Sequence, residues 1–153
     1  AEMVYLAAER LRSIKENPFL ACDIITGFPS ESDEDFEQTY ALCSGTGFAW
    51  IHAFPFSPRP GTEAFSMKHP IPERIAGERV ARLSILAEQN RSAYRKYWIG
   101  RTVPAIVETE TGTNGTTVLT NNYLSLIIPE RGLPRGSRVA VHITGEHTGI
   151  LEK

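Results

Sequence analysis

Two short loops contain most of the side chains that could take part in binding or catalysis. Residues 54–62 combine aromatic rings, rigid prolines and a single arginine, Arg59, which could pair with a carboxylate or a phosphate. Residues 27–31 lead directly into Ser32 and Asp35, the capping-box pattern of a helix start, where free amides favour an anion. A solvated arginine on a stiff linker is the simpler explanation of the first loop. For the second loop, a tight strand-to-helix turn is as good an explanation as ligand binding.

The sequence carries no pattern for covalent or metal chemistry. Its two cysteines, Cys22 and Cys43, each lie in an apolar segment, which favours two reduced, buried thiols in a cytoplasmic protein. The four histidines share no metal-ligand spacing, and His52, on a predicted strand, is expected to be packed or hydrogen-bonded. We therefore predict no catalytic residue and no metal ligand in this chain.

The elements that position the two loops alternate between helix and strand. Apolar periodicity predicts helices over 2–16, 32–44 and 72–97, the last being the longest. Two short apolar runs, 19–26 and 48–54, predict strands, and the first has the composition of a strand buried on both faces. This order indicates part of a parallel α/β sheet or barrel, in which the loops after the strands form the ligand-binding edge.

At Gly100 the pattern changes from helical to strand periodicity. Five short β-rich stretches follow, separated by turns such as 113–115 and 131–136, and they indicate a small closed antiparallel barrel of the OB-like kind. We therefore predict two domains, 1–97, which ends with the long linker helix, and 98–153, which forms the barrel. The predicted strands of the barrel are 103–108, 116–119, 123–128, 137–143 and 149–152.

Composition argues against a membrane protein and gives only a modest basic surplus. The hydrophobic fraction is 41%, and no apolar run approaches the roughly 18 residues that a membrane helix requires. Residues 1–70 carry 5 basic and 10 acidic side chains, whereas residues 71–153 carry 11 and 8. A polyanion would therefore meet a basic helix and local arginine clusters. Because the chain has neither a secretory signal nor an initiator Met, we expect a cytoplasmic protein whose first residue is a cut end.

Three ordered stretches resemble the radical S-adenosylmethionine methylthiotransferases. Residues 23–36 resemble that family's fifth barrel strand and the helix after it, and residues 54–62 resemble its sixth-strand loop. Residues 103–152, with the motif at 119–123, resemble the TRAM module that closes these proteins. The resemblance implies an α/β carboxy-terminal part of a partial TIM-like barrel, followed by a small all-β TRAM barrel that binds RNA.

The resemblance also implies a cofactor site for S-adenosylmethionine, whose adenine is expected to contact the strand-five motif and the backbone after strand six. The family's three clustered cysteines, the ligands of a 4Fe–4S cluster, are absent from this sequence, and Cys22 and Cys43 cannot replace them. We therefore expect the chain alone to bind no cluster and to be inactive. The implied cofactor-binding residues are Ile25, Gly27, Glu31, Phe54, Pro55 and Phe56.

For the substrate, Arg59 and residues 122–124 look closest to the branch that adds a methylthio group to C2 of N6-threonylcarbamoyladenosine 37 in tRNA. Four alternatives stay open: the isopentenyladenosine branch, the branch acting on a ribosomal-protein aspartate, another enzyme with a TRAM-like appendage, and a stand-alone RNA-binding module. The expected partner is tRNA, not DNA, although solubility explains the turn arginines almost as well. The residues expected to contact RNA are Arg59, Asn122, Tyr123, Arg131, Arg135 and Arg138.

Overall fold

A computed structural model describes residues 1–110 and 115–152 of the chain. The chain folds into two compact units, Ala1–Arg91 and Ser92–Lys153. The two units meet between Arg91 and Ser92, inside the long helix Glu73–Trp98. The predicted boundary, between residues 97 and 98, lies six residues later, at the end of that helix. No helix of the described chain is long and apolar enough to cross a membrane.

The first unit places helices beside a small parallel sheet. Its strands, β1 and β2, pair in parallel with Ala21 opposite Trp50 and Thr26 opposite Pro55, as the order of elements predicts. Buried side chains from α2, β2 and α3 form the core on one side of this sheet, among them Phe36, Ile51 and Leu83. The elements are α1 (Glu2–Ile14), β1 (Ala21–Thr26), α2 (Asp33–Thr46), β2 (Trp50–Pro55), a 3-10 helix (Glu63–Ser66) and α3 (Glu73–Trp98).

The prediction that β1 is buried on both faces is wrong for the described chain. Burial alternates along the strand: Cys22 and Ile24 pack against the core, whereas the side chain of Asp23 is 76% exposed and Ile25 is 48% exposed. The alternation follows from the two-residue period of a strand, because the core covers only one face of the sheet. The apolar Ile25 on the open face therefore marks a surface that a further element or a ligand could cover.

The capping box predicted at the start of α2 is confirmed. The Ser32 hydroxyl accepts from the Asp35 amide at 3.1 Å, and the Asp35 carboxylate accepts from the Ser32 amide at 2.9 Å. The bonds from the side chain and backbone of Ser32 lower the pKa of the Asp35 carboxyl. The helix ends at Gly47, whose φ of +61° is a left-handed cap. The capping box at the start of α2 thus fixes the direction in which the preceding loop enters the helix.

The second unit contains a closed five-stranded barrel, as predicted. Its strand order, β3-β4-β5-β7-β6, closes through pairing of β3 with β6. All pairs are antiparallel except β5 and β7, which pair in parallel, so the prediction of an entirely antiparallel barrel is corrected at one position. The predicted turn at 113–115 begins with two residues that lie outside the described ones. The strands are β3 (Thr102–Glu110), β4 (Thr116–Thr120), β5 (Ser125–Ile128), β6 (Arg138–Gly145) and β7 (Thr148–Leu151).

Candidate functional sites

The loop after β1 is tied to α3 by hydrogen bonds. The Thr26 hydroxyl donates to the Ala76 carbonyl at 3.0 Å, and the Gly27 amide donates to the Glu31 carboxylate at 2.6 Å. Gly27 has a φ of +74°, and a Cβ at this position would lie 2.6 Å from the Cβ of Ala76. Only glycine therefore combines this backbone conformation with such a close approach to α3.

A buried ion pair fixes the far end of the same loop. The Arg79 guanidinium donates to the Glu31 carboxylate at 2.5 Å and to the Asp33 carboxylate at 2.7 Å. The side chains of Arg79 and Glu31 are only 6% and 11% exposed, whereas that of Asp33 is 94% exposed. Burial by itself lowers the pKa of Arg79, but the hydrogen bonds that Arg79 donates to Asp33 and Glu31 outweigh it and raise the pKa above its usual value. Glu31, a predicted cofactor contact, thus stabilises the loop through Arg79.

An apolar cleft of about 300 Å³ lies where β1 and β2 end. Ile25 and Phe54, which are opposite each other in the sheet, line it together with Pro55 and Phe56. The Phe56 amide donates to the Thr26 carbonyl at 2.7 Å, which continues the pairing of the strands into the loop. Four of the six predicted cofactor residues therefore line one cleft, and Arg59 lines it too.

The other two predicted cofactor residues occupy different positions. Gly27 lines a neighbouring cleft of about 340 Å³, which shares Pro55 and Phe56 with the first. Glu31 belongs to the ion pair with Arg79. The carboxyl ends of parallel strands are where α/β proteins bind ligands, so both clefts are in the expected place.

His52, expected to be packed or hydrogen-bonded rather than catalytic, has a side chain that is 63% exposed but contacts two neighbours. Its Nδ1 lies 3.6 Å from the Asp23 carboxylate, and its ring meets the Phe54 ring edge-on at 5.3 Å. His52 and Asp23 are opposite each other on the open face of the sheet. The sequence showed both side chains but not their pairing, because the register of two strands is a tertiary property.

Five of the six predicted RNA-binding residues fall into three places. Arg59 is at the cleft of the first unit. Tyr123 and Arg138 line a cleft of about 400 Å³ on the barrel. Arg131 and Arg135 are exposed in the segment between β5 and β6. The predicted cluster of three arginines thus has one member, Arg138, beside Tyr123.

Asn122 is buried, although it is one of the residues predicted to contact RNA. It is 3% exposed, and its side-chain oxygen accepts a hydrogen bond from the Thr120 hydroxyl. The backbone carbonyl of Asn122 accepts a hydrogen bond from the Tyr94 hydroxyl at 2.9 Å. Burial raises the pKa of Tyr94 to about 12, so this hydroxyl stays protonated and donates throughout the neutral pH range. Asn122 thus stabilises the turn that presents Tyr123.

Among residues 1–110 and 115–152, no three His, Cys, Asp or Glu side chains are arranged to hold a metal ion. Cys22 and Cys43 are free, and they face each other in the core of the first unit. The Cys43 thiol hydrogen-bonded to Cys22, together with burial, raises the pKa of Cys22. The two thiols thus form a buried, hydrogen-bonded pair in the core of the first unit.

A parallel α/β unit with a cleft at its strand ends and a small five-stranded barrel occur together in this chain, which is the combination that its three motifs predicted. Comparison with known proteins specifies the family. No protein-family model matches the chain. Over 151 residues, however, it is 52% identical to the threonylcarbamoyladenosine tRNA methylthiotransferase of Treponema pallidum, covering 97% of this chain and 30% of that protein.

Two further relatives are named tRNA-2-methylthio-N(6)-dimethylallyladenosine synthase. The one from Zymomonas mobilis is 33% identical over 94% of this chain and 32% of the relative. The one from Bartonella bacilliformis is 30% identical over 89% of this chain and 30% of the relative. Nearly the whole chain is therefore homologous to part of the methylthiotransferases, as its three motifs indicated, and it spans about a third of the length of the curated relatives it matches.

Proposed function

We propose that the whole protein is a radical S-adenosylmethionine methylthiotransferase that adds a methylthio group to C2 of N6-threonylcarbamoyladenosine 37 in tRNA. The observation that carries this proposal is the difference in identity between the relatives. The chain is 52% identical to the threonylcarbamoyladenosine enzyme but 30% and 33% identical to the two dimethylallyladenosine enzymes. The same comparison supports a cytoplasmic location, where tRNA is modified, and tRNA rather than DNA as the partner.

The cleft at the ends of β1 and β2 fits the adenine of S-adenosylmethionine. Its lining is mainly apolar, and its volume of about 300 Å³ lies at the lower end of small-molecule sites, roughly 300–1,000 Å³. In the proposal, Ile25 and Phe54 pack against the adenine ring while the backbone at Pro55 and Phe56 holds its polar edge. When bound, the cofactor supplies the radical that removes hydrogen from the substrate carbon. Gly27 and the Glu31–Arg79 pair act indirectly by keeping the loop after β1 in place.

The described residues do not fit a 4Fe–4S cluster, because such a cluster needs three thiolates that converge from one loop. We therefore assign no residue of this chain to the cluster. The contribution of the first unit is to bind and orient the cofactor and to exclude water from one side of it.

The barrel is proposed to hold the tRNA. Arg131, Arg135 and Arg138 are exposed and suited to phosphate contacts, and Tyr123 is 66% exposed and suited to stacking on a base. Arg59 lies at the cofactor cleft, where a guanidinium could pair with a phosphate or with the carboxylate of the threonylcarbamoyl group. Asn122 contributes by positioning the turn rather than by direct contact.

A nucleoside analysis tests the proposed reaction. In cells that lack the gene for the whole protein, digested tRNA is expected to lose the 2-methylthio form of threonylcarbamoyladenosine. It should accumulate threonylcarbamoyladenosine without the methylthio group, as measured by mass spectrometry. The gene should restore the product when it is returned. Loss of the 2-methylthio form of isopentenyladenosine instead would establish the second candidate function, which the 33% relative favours. Unchanged tRNA would refute both.

The arginines of the barrel should make RNA binding by this chain sensitive to salt. Each phosphate contact releases counterions, so removing one lowers the slope of log affinity against log salt by about 0.7–0.9. The double variant Arg131→Ala/Arg135→Ala is therefore expected to bind an anticodon stem-loop more weakly and with a slope shallower by about 1.5. Arg10→Ala on α1 is the control, since it removes an exposed arginine of the other unit. Equal slopes for the parent and the double variant would leave the two arginines as solvated turn residues.

A further inference from the structure

We propose that the cleft beside Tyr123 on the outside of the barrel holds one unpaired nucleobase of RNA, with the ring stacked on Tyr123 and a neighbouring phosphate at Arg138. This inference rests on the proposed function, because it specifies which feature of the RNA the barrel recognises. A single unpaired base, rather than a duplex, is the feature that an aromatic ring and an arginine on one surface can bind.

The shape and chemistry of the cleft suit a flat aromatic ligand. Its volume is about 400 Å³, and its lining is mainly apolar. Pro104, Ile106 and Leu119 line it together with Tyr123. Ile106 is 49% exposed and Tyr123 is 66% exposed. Two large apolar side chains are therefore left in water on adjacent parts of one surface, which is a feature of binding sites.

The turn that carries Tyr123 is held in a costly conformation. Tyr123 has a φ of +62°, in the left-handed region that non-glycine residues seldom adopt. Such a conformation persists only where the surrounding structure enforces it, and it is concentrated at functional sites. A glycine or an asparagine would occupy this position at lower cost, so a tyrosine here is explained by what its ring does.

Hydrogen bonds on both sides of Tyr123 enforce that conformation. The Thr120 hydroxyl accepts from the Leu124 amide at 2.9 Å, and the Thr120 carbonyl accepts from the Tyr123 amide at 3.0 Å. The Asn121 amide donates to the carbonyl of Pro104, a residue of the cleft itself, at 2.9 Å. The ring is thus presented by a rigid turn, which reduces the entropy lost when a base stacks on it.

Arg138 supplies the charge that distinguishes a nucleotide from another flat apolar ligand. It is exposed, it lines the cleft, and it lies opposite Ile106 in the pairing of β3 with β6. Residues 98–153 carry 5 basic and 5 acidic side chains, so the barrel as a whole attracts a polyanion only weakly. Stacking on Tyr123 must then supply much of the affinity, and that term is available only to an unpaired base.

Binding of two RNA probes tests this inference. The probes are a fluorescein-labelled single strand of mixed sequence and a blunt duplex of the same length, titrated at several salt concentrations. Tyr123→Ala is expected to weaken binding of the single strand by about 5- to 150-fold, the usual effect of losing one stacked base. It should leave duplex binding and the salt slope unchanged. Tyr123→Phe retains the ring and should bind like the parent, whereas Arg138→Ala should reduce the single-strand slope by about 0.7.

A matched pair of variants guards against an effect on folding. Ile106→Ala should weaken single-strand binding, whereas Ile150→Ala, which truncates an isoleucine of the barrel that is 45% exposed, should not. If Tyr123→Ala and Ile106→Ala bind the single strand like the parent while Arg131→Ala/Arg135→Ala still lowers the slope, the nucleobase site is refuted and the proposed function stands. If the parent binds neither RNA, the nucleobase site and the proposed role of the barrel in holding tRNA both fail, whereas the proposed reaction is still decided by the nucleoside analysis. If Tyr123→Ala abolishes self-association in sedimentation and leaves RNA binding unchanged, the cleft is a contact for a second copy, and the inference is wrong.

Discussion

Replacing Arg79 by methionine is expected to destabilise the first unit by about 3–5 kcal/mol. Methionine keeps most of the volume, so the main change is the loss of the guanidinium beside a carboxylate that is only 11% exposed. Without Arg79, the Glu31 carboxylate keeps the hydrogen bond from the Gly27 amide but loses its opposite charge. An uncompensated buried charge costs more than the intact pair contributes, because its hydration was lost on folding and is not replaced.

The matched control is Asp33→Asn. Asp33 also accepts from Arg79, but its side chain is 94% exposed, so its loss should cost less than about 1 kcal/mol. Amide hydrogen exchange is measured for each variant, with the barrel of the same chain as an internal control. Amides of β1 and α2 should exchange faster in Arg79→Met than in Asp33→Asn, while amides of β3 and β4 report whether the barrel is intact. Similar exchange in the two variants would show that burial does not strengthen the Glu31–Arg79 pair.

The features of the fold that depend on local sequence could be predicted, because short-range chemistry determines them. Ser32 and Asp35 specify the start of α2 through bonds that span three residues, and the change of periodicity at Gly100 locates the barrel. The exposure of one face of β1 could not be predicted. A run of apolar residues indicates that both faces can be buried, but it does not say which neighbours are present to cover them.

The residues of the candidate sites could be predicted where a single loop carries them. They could not be predicted where residues distant in the sequence come together. The segment after β2 could be chosen from its prolines and aromatic rings, and it does line a cleft. Arg79 was overlooked because charged positions on a helix usually face solvent, and its partners lie 46 and 48 residues away in sequence. The only signal was the run of acidic residues from 31 to 35, and helix capping explained it equally well. Asn122 was assigned to RNA contact from the motif at 119–123, and the sequence did not show that its side chain is buried.

Within the first unit, the largest effect of a single added methyl group is expected at Gly27. Gly27→Ala should destabilise the first unit by about 2–5 kcal/mol, from two separate causes. The left-handed φ of +74° costs a residue with a Cβ about 1–2 kcal/mol. The new methyl carbon would also lie 2.6 Å from the Cβ of Ala76, and forcing the loop and α3 apart should cost about 1–3 kcal/mol more. The same displacement would move Ile25, which lines the cleft at the ends of β1 and β2.

Gly61→Ala separates the two causes. Gly61 has a similar φ of +85°, but nothing lies within 4 Å of a Cβ built there, so this variant should show the backbone cost alone. Ala76→Gly in the Gly27→Ala background supplies the complementary test, because it removes the other methyl group of the overlap. We expect the double variant to be about 1–3 kcal/mol more stable than the sum of the two single changes predicts, because the overlap is absent from the double variant. The roughly 1 kcal/mol that glycine costs within a helix belongs to the Ala76→Gly change itself and cancels from this comparison. If the changes in unfolding free energy of Gly27→Ala and Ala76→Gly simply add, the loop moves away from α3 at no cost. The close approach at Gly27 would then not be what holds the loop against α3.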